Sequence, residues 1–291
     1  MKVAVTGGKG GVGKSLIATA LASELAKRYK VLLIDADVDC PNDHIILSIE
    51  RTKEKDIFQP VPRFNLEKCR KCGICSKVCK ENAIVFVKNR FPILIEEQCT
   101  GCSACMIACP FGAINKGKRK IGTIYSGTAK PNTLALVSGE MRIGNEESSP
   151  VVNATKAFAS KTGSYEFTIV DTAAGTHCNV ISALLGCDVA IAVTEPTPFA
   201  AHDLELILKL LKILKIKAKV VINKSTIGKR ELIYKVVRRY KTEVIAEVPY
   251  KKSIARRYFN GKVVKDKAIE KIAKFVEGLN ERSVLLGNKD K

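Results

Sequence analysis

Nowhere in these 291 residues does an apolar run reach the roughly 20 residues that a membrane-spanning helix needs. A helical membrane span is therefore excluded. The chain enters a short apolar stretch, Lys2 to Thr6, with no leader-like segment before it, so a cytoplasmic location is expected. Acidic residues are in deficit: 29 Asp and Glu against 49 Lys and Arg, a net charge of +20. That balance suits acidic partners, whether nucleotide, nucleic acid or an acidic protein. It suits equally a heat-adapted surface rich in Lys and Glu, and Gln is nearly missing, present only as Gln59 and Gln98. The 11 cysteines lack scatter. Eight fall between Cys69 and Cys109 in two groups, which points to metal or redox chemistry rather than a disulfide framework.

The stretch that organises the chain is Gly7 to Ser15. It contains the pattern G-x-x-x-x-G-K-[ST] as Gly8, Lys9, Gly10, Gly11, Val12, Gly13, Lys14 and Ser15. A strand, Lys2 to Thr6, precedes it and an amphipathic helix, Leu16 to Lys27, follows. A Gly-rich turn between strand and helix directs several backbone N–H groups at a phosphate, at the positive end of the helix. In this pattern Lys14 reaches the β- and γ-phosphates and the Ser15 hydroxyl ligates Mg²⁺. Two later apolar runs close on carboxylates: residues 29–34 lead into Asp35 and Asp37, and residues 166–170 lead into Asp171. Such runs are parallel strands, whose carboxyl ends form the ligand crevice of an open α/β sheet. Each of these aspartates also reads as a helix cap, as does Asp39.

Lys9 to Ser15, K-G-G-V-G-K-S, resembles the deviant phosphate loop of the MinD/ParA class, which includes the nitrogenase iron protein and the Mrp-type cluster carriers. The resemblance implies a doubly wound, mostly parallel α/β sheet and slow ATP hydrolysis in an ATP-dependent homodimer. Lys9 would then reach across the dimer to the partner's nucleotide. Asp37 would position the attacking water, Asp35 would lie close to Mg²⁺, and Asp171 would hold Mg²⁺ through water. The Gly175 N–H would sense the γ-phosphate. Asn223 would contact adenine and Pro249 would lie in the base-binding position. Thr226 stands where guanine-reading proteins carry Asp in N-K-x-D, which favours ATP. Cys178 has the offset from Asp171 of a cluster-ligating cysteine in the nitrogenase iron protein, and reads equally as a small helix residue. Cys40 and Cys187 are expected to be buried spacers.

Between these parts sits an internal repeat. Cys69-x2-Cys72-x2-Cys75-x3-Cys79 recurs 30 residues later as Cys99-x2-Cys102-x2-Cys105-x3-Cys109-Pro110. This is the bacterial two-cluster ferredoxin spacing, in which the fourth cysteine of each run serves the other cluster. Cys69, Cys72, Cys75 and Cys109 would hold one [4Fe–4S] cluster. Cys99, Cys102, Cys105 and Cys79 would hold the second. Two four-cysteine zinc sites are the alternative, and zinc motifs rarely use this spacing. Lys80 departs from the pattern, standing where proline usually follows the fourth cysteine. That departure puts the local turn in question and, if Lys80 is close, favours the reduced cluster.

Gln59 to Pro62 reads as a stiff entry linker and Gly117 to Lys120 as a basic exit linker. The expected organisation is an ATPase of residues 1–59 and 119–291 with an inserted small α+β ferredoxin domain of residues 60–118. The insert leaves from the segment after Asp37 and is expected beside the nucleotide site. The C-terminal helix, with Ile269, Ile272, Phe275, Val276 and Leu279 on one face, is expected to pack on the core. Three function classes compete: ATP-gated electron transfer, ATP-dependent cluster assembly or carriage, and a ParA-like ATPase that binds DNA. The partner would be a redox or cluster-accepting protein, acidic if the charge is functional. The eight grouped cysteines are superfluous to DNA positioning, which ranks last.

Overall fold

The computed structural model describes residues 1–129 and 133–287. In chain order the elements are β1 (Lys2–Thr6), α1 (Lys14–Leu25), β2 (Val31–Asp35), α2 (Asp43–Leu47), β3 (Thr52–Phe64), α3 (Ile74–Lys77), β4 (Ile84–Val85), β5 (Ile93–Leu94), α4 (Ala104–Ile107), β6 (Ile114–Ala129) and β7 (Leu134–Met141). Then follow α5 (Ser149–Ala159), β8 (Phe167–Asp171), α6 (Cys178–Leu184), β9 (Val189–Thr194), α7 (Pro198–Ile213), β10 (Lys217–Ile222), α8 (Arg230–Arg239), β11 (Val244–Glu247), α9 (Lys252–Phe259) and α10 (Lys267–Gly287).

Nine strands form one sheet in the order β11-β10-β9-β1-β8-β2-β7-β6-β3. The first seven run parallel. Their sequences explain this, since β2 and β9 are buried at every position, as strands covered by helices on both faces must be. One face packs on α1 and α10 through Ile17, Leu21, Leu25, Ile272 and Val276, with Phe167 beneath. The other packs on α5, α6, α7 and α8 through Val151, Leu184, Leu204, Ile207 and Ile233. The apolar face of α10 is thus core, as its pattern implied. Among the described residues no helix is long and apolar enough to cross a membrane.

The two expected linkers are strand. β3 pairs antiparallel with β6 from Thr52–Ser126 to Phe64–Ile114, and β6 pairs antiparallel with β7. Pro60 and Pro62 misled the reading because proline cannot donate to a ladder. On an edge strand such as β3 that donor is dispensable. The alternation of buried Ile57, Gln59 and Val61 is the strand signal beneath the prolines. Arg51 pins the start of this ribbon. It donates to the Ser138 hydroxyl at 3.1 Å and to Glu140 at 3.1 Å, and lies 4.6 Å over the Tyr125 ring.

The ribbon also corrects the expected position of the insert. β3 stands five strand positions from β1, roughly 24 Å across the sheet at the usual strand spacing of about 4.8 Å. The insert therefore leaves from the far sheet edge. It carries one small hairpin sheet, with Ile84 opposite Leu94 and Val85 opposite Ile93. Its packed cluster is Cys75, Ile84 and Cys105, with Val61, Ala83 and Ala113 also buried, too little apolar surface to hold a fold unaided.

Candidate functional site

The phosphate loop joins β1 to α1. Gly13 precedes the helix with φ 97° and ψ 32°, a conformation that only glycine adopts readily. A Cβ there would also lie 2.3 Å from the Asn223 amide nitrogen. That amide donates to the Val12 carbonyl at 2.8 Å, and Lys224 donates to the Gly11 carbonyl at 3.1 Å. The end of β10 thus clamps the loop from beneath. Asn223 was read as a base contact, and its amide is engaged in holding the loop as well as lining the cavity.

Gly10, Gly11, Gly13, Lys14, Ser15, Asp37, Asn223 and Pro249 share a cavity of about 480 Å³. Its other end is apolar and aromatic, with Tyr250, Ile254, Tyr258 and Phe259. Tyr250 directly follows Pro249, and Ile254, Tyr258 and Phe259 of α9 were not singled out from sequence. Lys14 is buried and Asp37 half-buried. Burial raises the Asp37 carboxyl while Lys14 pulls it back down.

Asp35 and Asp171 are register partners on adjacent strands, each 1% exposed. Burial pushes Asp171 up to about 7, against the Ser15 hydroxyl and Lys14, which favour its anion. Burial and then the Asp171 charge push Asp35 up as well. Asp43 joins them, and one ligand oxygen of each of the three lies within 4.8 Å of the others. Sequence reading missed Asp43 because Asn42-Asp43 looks like an ordinary helix start.

Two expectations meet a different local arrangement. The Gly175 N–H donates to the Gly7 carbonyl at 3.1 Å, so sensing a γ-phosphate requires that bond to open. Lys9 pairs within its own chain: Glu195 accepts from Lys9 at 3.3 Å and from Lys224 at 2.9 Å.

The cysteine repeat is a repeat of backbone. Lys71 and Gly73 have φ 56° and 76°; their counterparts 30 residues on, Gly101 and Ser103, have φ 76° and 64°. Helices α3 and α4 follow at the same offset. Left-handed residues placed this way turn N–H groups inward around an anionic centre. Lys80 is exposed and occupies the same turn as Pro110, so the departure from proline leaves the turn intact. Cys69, Cys72, Cys75 and Cys109 line one cavity; Cys79, Cys99, Cys102 and Cys105 line another. The fourth cysteine of each run is therefore with the other run's first three. A zinc tetrahedron with bonds of about 2.3 Å needs sulfurs about 3.8 Å apart. Among the described residues no three cysteine sulfurs lie within 4.8 Å of one another.

Ribbon residues line both cavities, Pro60 and Pro62 at one and Phe64 and Ile114 at the other. Gln59, 8% exposed, donates to the Cys99 carbonyl at 2.6 Å, and Arg119, its register partner, reaches the same oxygen at 3.4 Å. Cys187 is buried as expected, but Cys40 is exposed, as is Cys178. Asn179 donates to Asp39 at 3.4 Å, linking the chain neighbours of these two thiols.

Residues 3–264 match the model of the CobQ/CobB/MinD/ParA nucleotide binding domain. An uncharacterised protein of Methanocaldococcus jannaschii is 37% identical over 262 residues, 90% of each chain. The electron transport protein HydN of Escherichia coli is 42% identical over 48 residues, 16% of this chain and 27% of HydN. Among solved structures, the cell division ATPase MinD of Pyrococcus furiosus superposes with a TM-score of 0.58 at 17% identity, covering 96% of this chain and 98% of that one.

Proposed function

Because the chain belongs to the CobQ/CobB/MinD/ParA nucleotide-binding family, we propose that it is an ATPase whose nucleotide state governs electron transfer through two [4Fe–4S] clusters. The observation that carries this reading is the β3–β6 ribbon, which is at once part of the nucleotide-binding sheet and wall of both cysteine cavities. The short likeness to HydN supports the redox half. The domain division 1–59 and 119–291 with 60–118 inserted is kept as part of the proposal, with the ribbon crossing both boundaries.

At the nucleotide site, Lys14 neutralises the β- and γ-phosphate oxygens, and loop N–H groups hold the rest. Ser15 and Asp171 would hold Mg²⁺, which when bound would supply positive charge to the phosphate oxygens. Asp37, half-buried beside Lys14, orients the attacking water. The aromatic end of the cavity accepts the base. Lys9 must leave Glu195 before it can reach a partner's nucleotide, so dimerisation opens an ion pair in each chain. Cys69, Cys72, Cys75 and Cys109 hold one cluster, and Cys79, Cys99, Cys102 and Cys105 the other; when bound, each supplies a one-electron store. Gln59 and Arg119 fix the Cys99 backbone against the sheet.

Anaerobically purified protein is expected to contain about eight iron and about eight acid-labile sulfide per chain. Its ATP hydrolysis is expected to rise with protein concentration as dimers form. Substoichiometric iron with tightly bound zinc removes the redox reading. ATP-dependent cluster carriage has one observation in its favour, the two exposed thiols Cys40, before α2, and Cys178, at the start of α6, whose chain neighbours are hydrogen-bonded.

A further inference from the structure

The nucleotide site holds one carboxylate more than phosphate chemistry requires. Asp43 opens α2 and is 0% exposed, and neither of its carboxylate oxygens has a hydrogen-bond partner. It is not a helix cap, because no side-chain capping bond is made at this helix start. Its backbone N–H is instead spent on Asp35, at 3.2 Å. Asp171 Oδ1 is likewise buried without a partner. An unpartnered buried carboxylate costs several kcal/mol. Two such groups turned on one spot with Asp35 call for a compensating cation, and Lys14 is the cation that acts on Asp171.

We propose that Asp35, Asp43 and Asp171 form a divalent-cation site that fills without nucleotide, with Asp43 as its third carboxylate. The ligand oxygens lie within 4.8 Å of one another. An octahedral ion with bonds of about 2.1 Å holds adjacent ligands about 3.0 Å and opposite ones about 4.2 Å apart, so a small inward movement of the side chains lets a single ion engage all three. Carboxylate oxygens select a hard ion, Mg²⁺ or Mn²⁺, over a thiophilic one. Three negative charges hold the ion without help from phosphate. The metal can therefore precede ATP and wait beside Ser15, whose hydroxyl favours the Asp171 anion. This deepens the nucleotide-site reading and rests on it for the site's purpose, not for the ligand set.

The test uses the full chain with clusters loaded and oxidised, anaerobic and free of nucleotide. Mn²⁺ is titrated and free Mn²⁺ read from its six-line EPR signal. About one Mn²⁺ per chain should bind and be displaced by Mg²⁺. Asp43→Asn, which keeps the shape and removes the charge, should weaken binding at least about tenfold, one decade of affinity. Mn²⁺ should raise the Tm of the parent and not that of Asp43→Asn, a readout that also confirms the variant folds. A parent that hydrolyses ATP yet binds no Mn²⁺ without it overturns the site and leaves the ATPase reading standing. Equal Mn²⁺ affinity in parent and Asp43→Asn also overturns it. Mn²⁺ bound by a parent that turns over no ATP supports the site and overturns the ATPase reading.

Discussion

Replacing Gln59 by Ala removes the hydrogen bond that ties the ATPase sheet to the Cys99 carbonyl. In the parent that bond is 2.6 Å and the side chain is largely buried. After substitution the Cys99 carbonyl keeps only the longer contact from Arg119, 3.4 Å. A lost intramolecular hydrogen bond costs about 0.5–1.5 kcal/mol, and a buried acceptor left poorly satisfied costs about 1–3 kcal/mol. Because Arg119 remains, a local cost of about 1–2 kcal/mol is expected. At about 1.4 kcal/mol per tenfold, the open population of this loop rises roughly 5- to 30-fold. Cys99 shares its cavity with Cys79, Cys102 and Cys105 and not with the other four. Only half of the iron should therefore become labile. Anaerobic release of iron to a ferrous chelator should show one phase accelerated by that factor and a second, of equal amplitude, unchanged. Equal acceleration of both phases, or of neither, would refute the assignment of Gln59 to one cluster.

Three further outcomes are expected. Cys79→Ala should erase the EPR signal of the cluster held by Cys99, Cys102 and Cys105 and spare the other; the reverse loss would show that the cavities do not report the ligand sets. Lys14→Ala should abolish detectable ATP binding by calorimetry, since it removes the buried cation at the phosphate loop, and retained affinity would remove it from the phosphate site. Glu195→Gln should favour the ATP-dependent dimer by freeing Lys9. The pair is part-exposed on the Lys9 side, so each is worth about 0.2–1 kcal/mol; with one pair opening in each chain, the dimerisation constant should tighten by no more than about 30-fold; sedimentation that shows weaker dimers would contradict the release step.

What the sequence made legible is what spacing or backbone geometry enforces. Gly13 must be glycine where φ is 97° and Asn223 presses close, so the phosphate loop was readable. The cysteine spacing carried the crossed sets, because the 30-residue repeat also repeats the left-handed residues. The ribbon was hidden by Pro60 and Pro62, whose edge-strand position is a tertiary fact that no local pattern reveals. Asp43 was hidden for a similar reason. Its burial follows from where α2 docks against the carboxyl ends of β2 and β8, not from its neighbours in the chain. The exposure of Cys40 and the pairing of Lys9 with Glu195 also depend on loops brought together across the sheet.

Charge alone does not couple the two halves strongly. The sheet edge that carries the insert lies roughly 24 Å from the phosphate-loop strand, well beyond the screening length of about 8 Å at physiological salt. The proposed coupling therefore depends on the strands, from the loop after β2 into α2 and the β3–β6 ribbon. ATP titration of the dimer-competent protein, with clusters oxidised and then dithionite-reduced, measures it directly. By linkage, a shift in cluster potential on ATP binding requires an equal shift in ATP affinity on reduction. An affinity ratio between the two redox states of about 5- to 150-fold is the expected result, the usual coupling of about 1–3 kcal/mol. The same affinity in both states would contradict it.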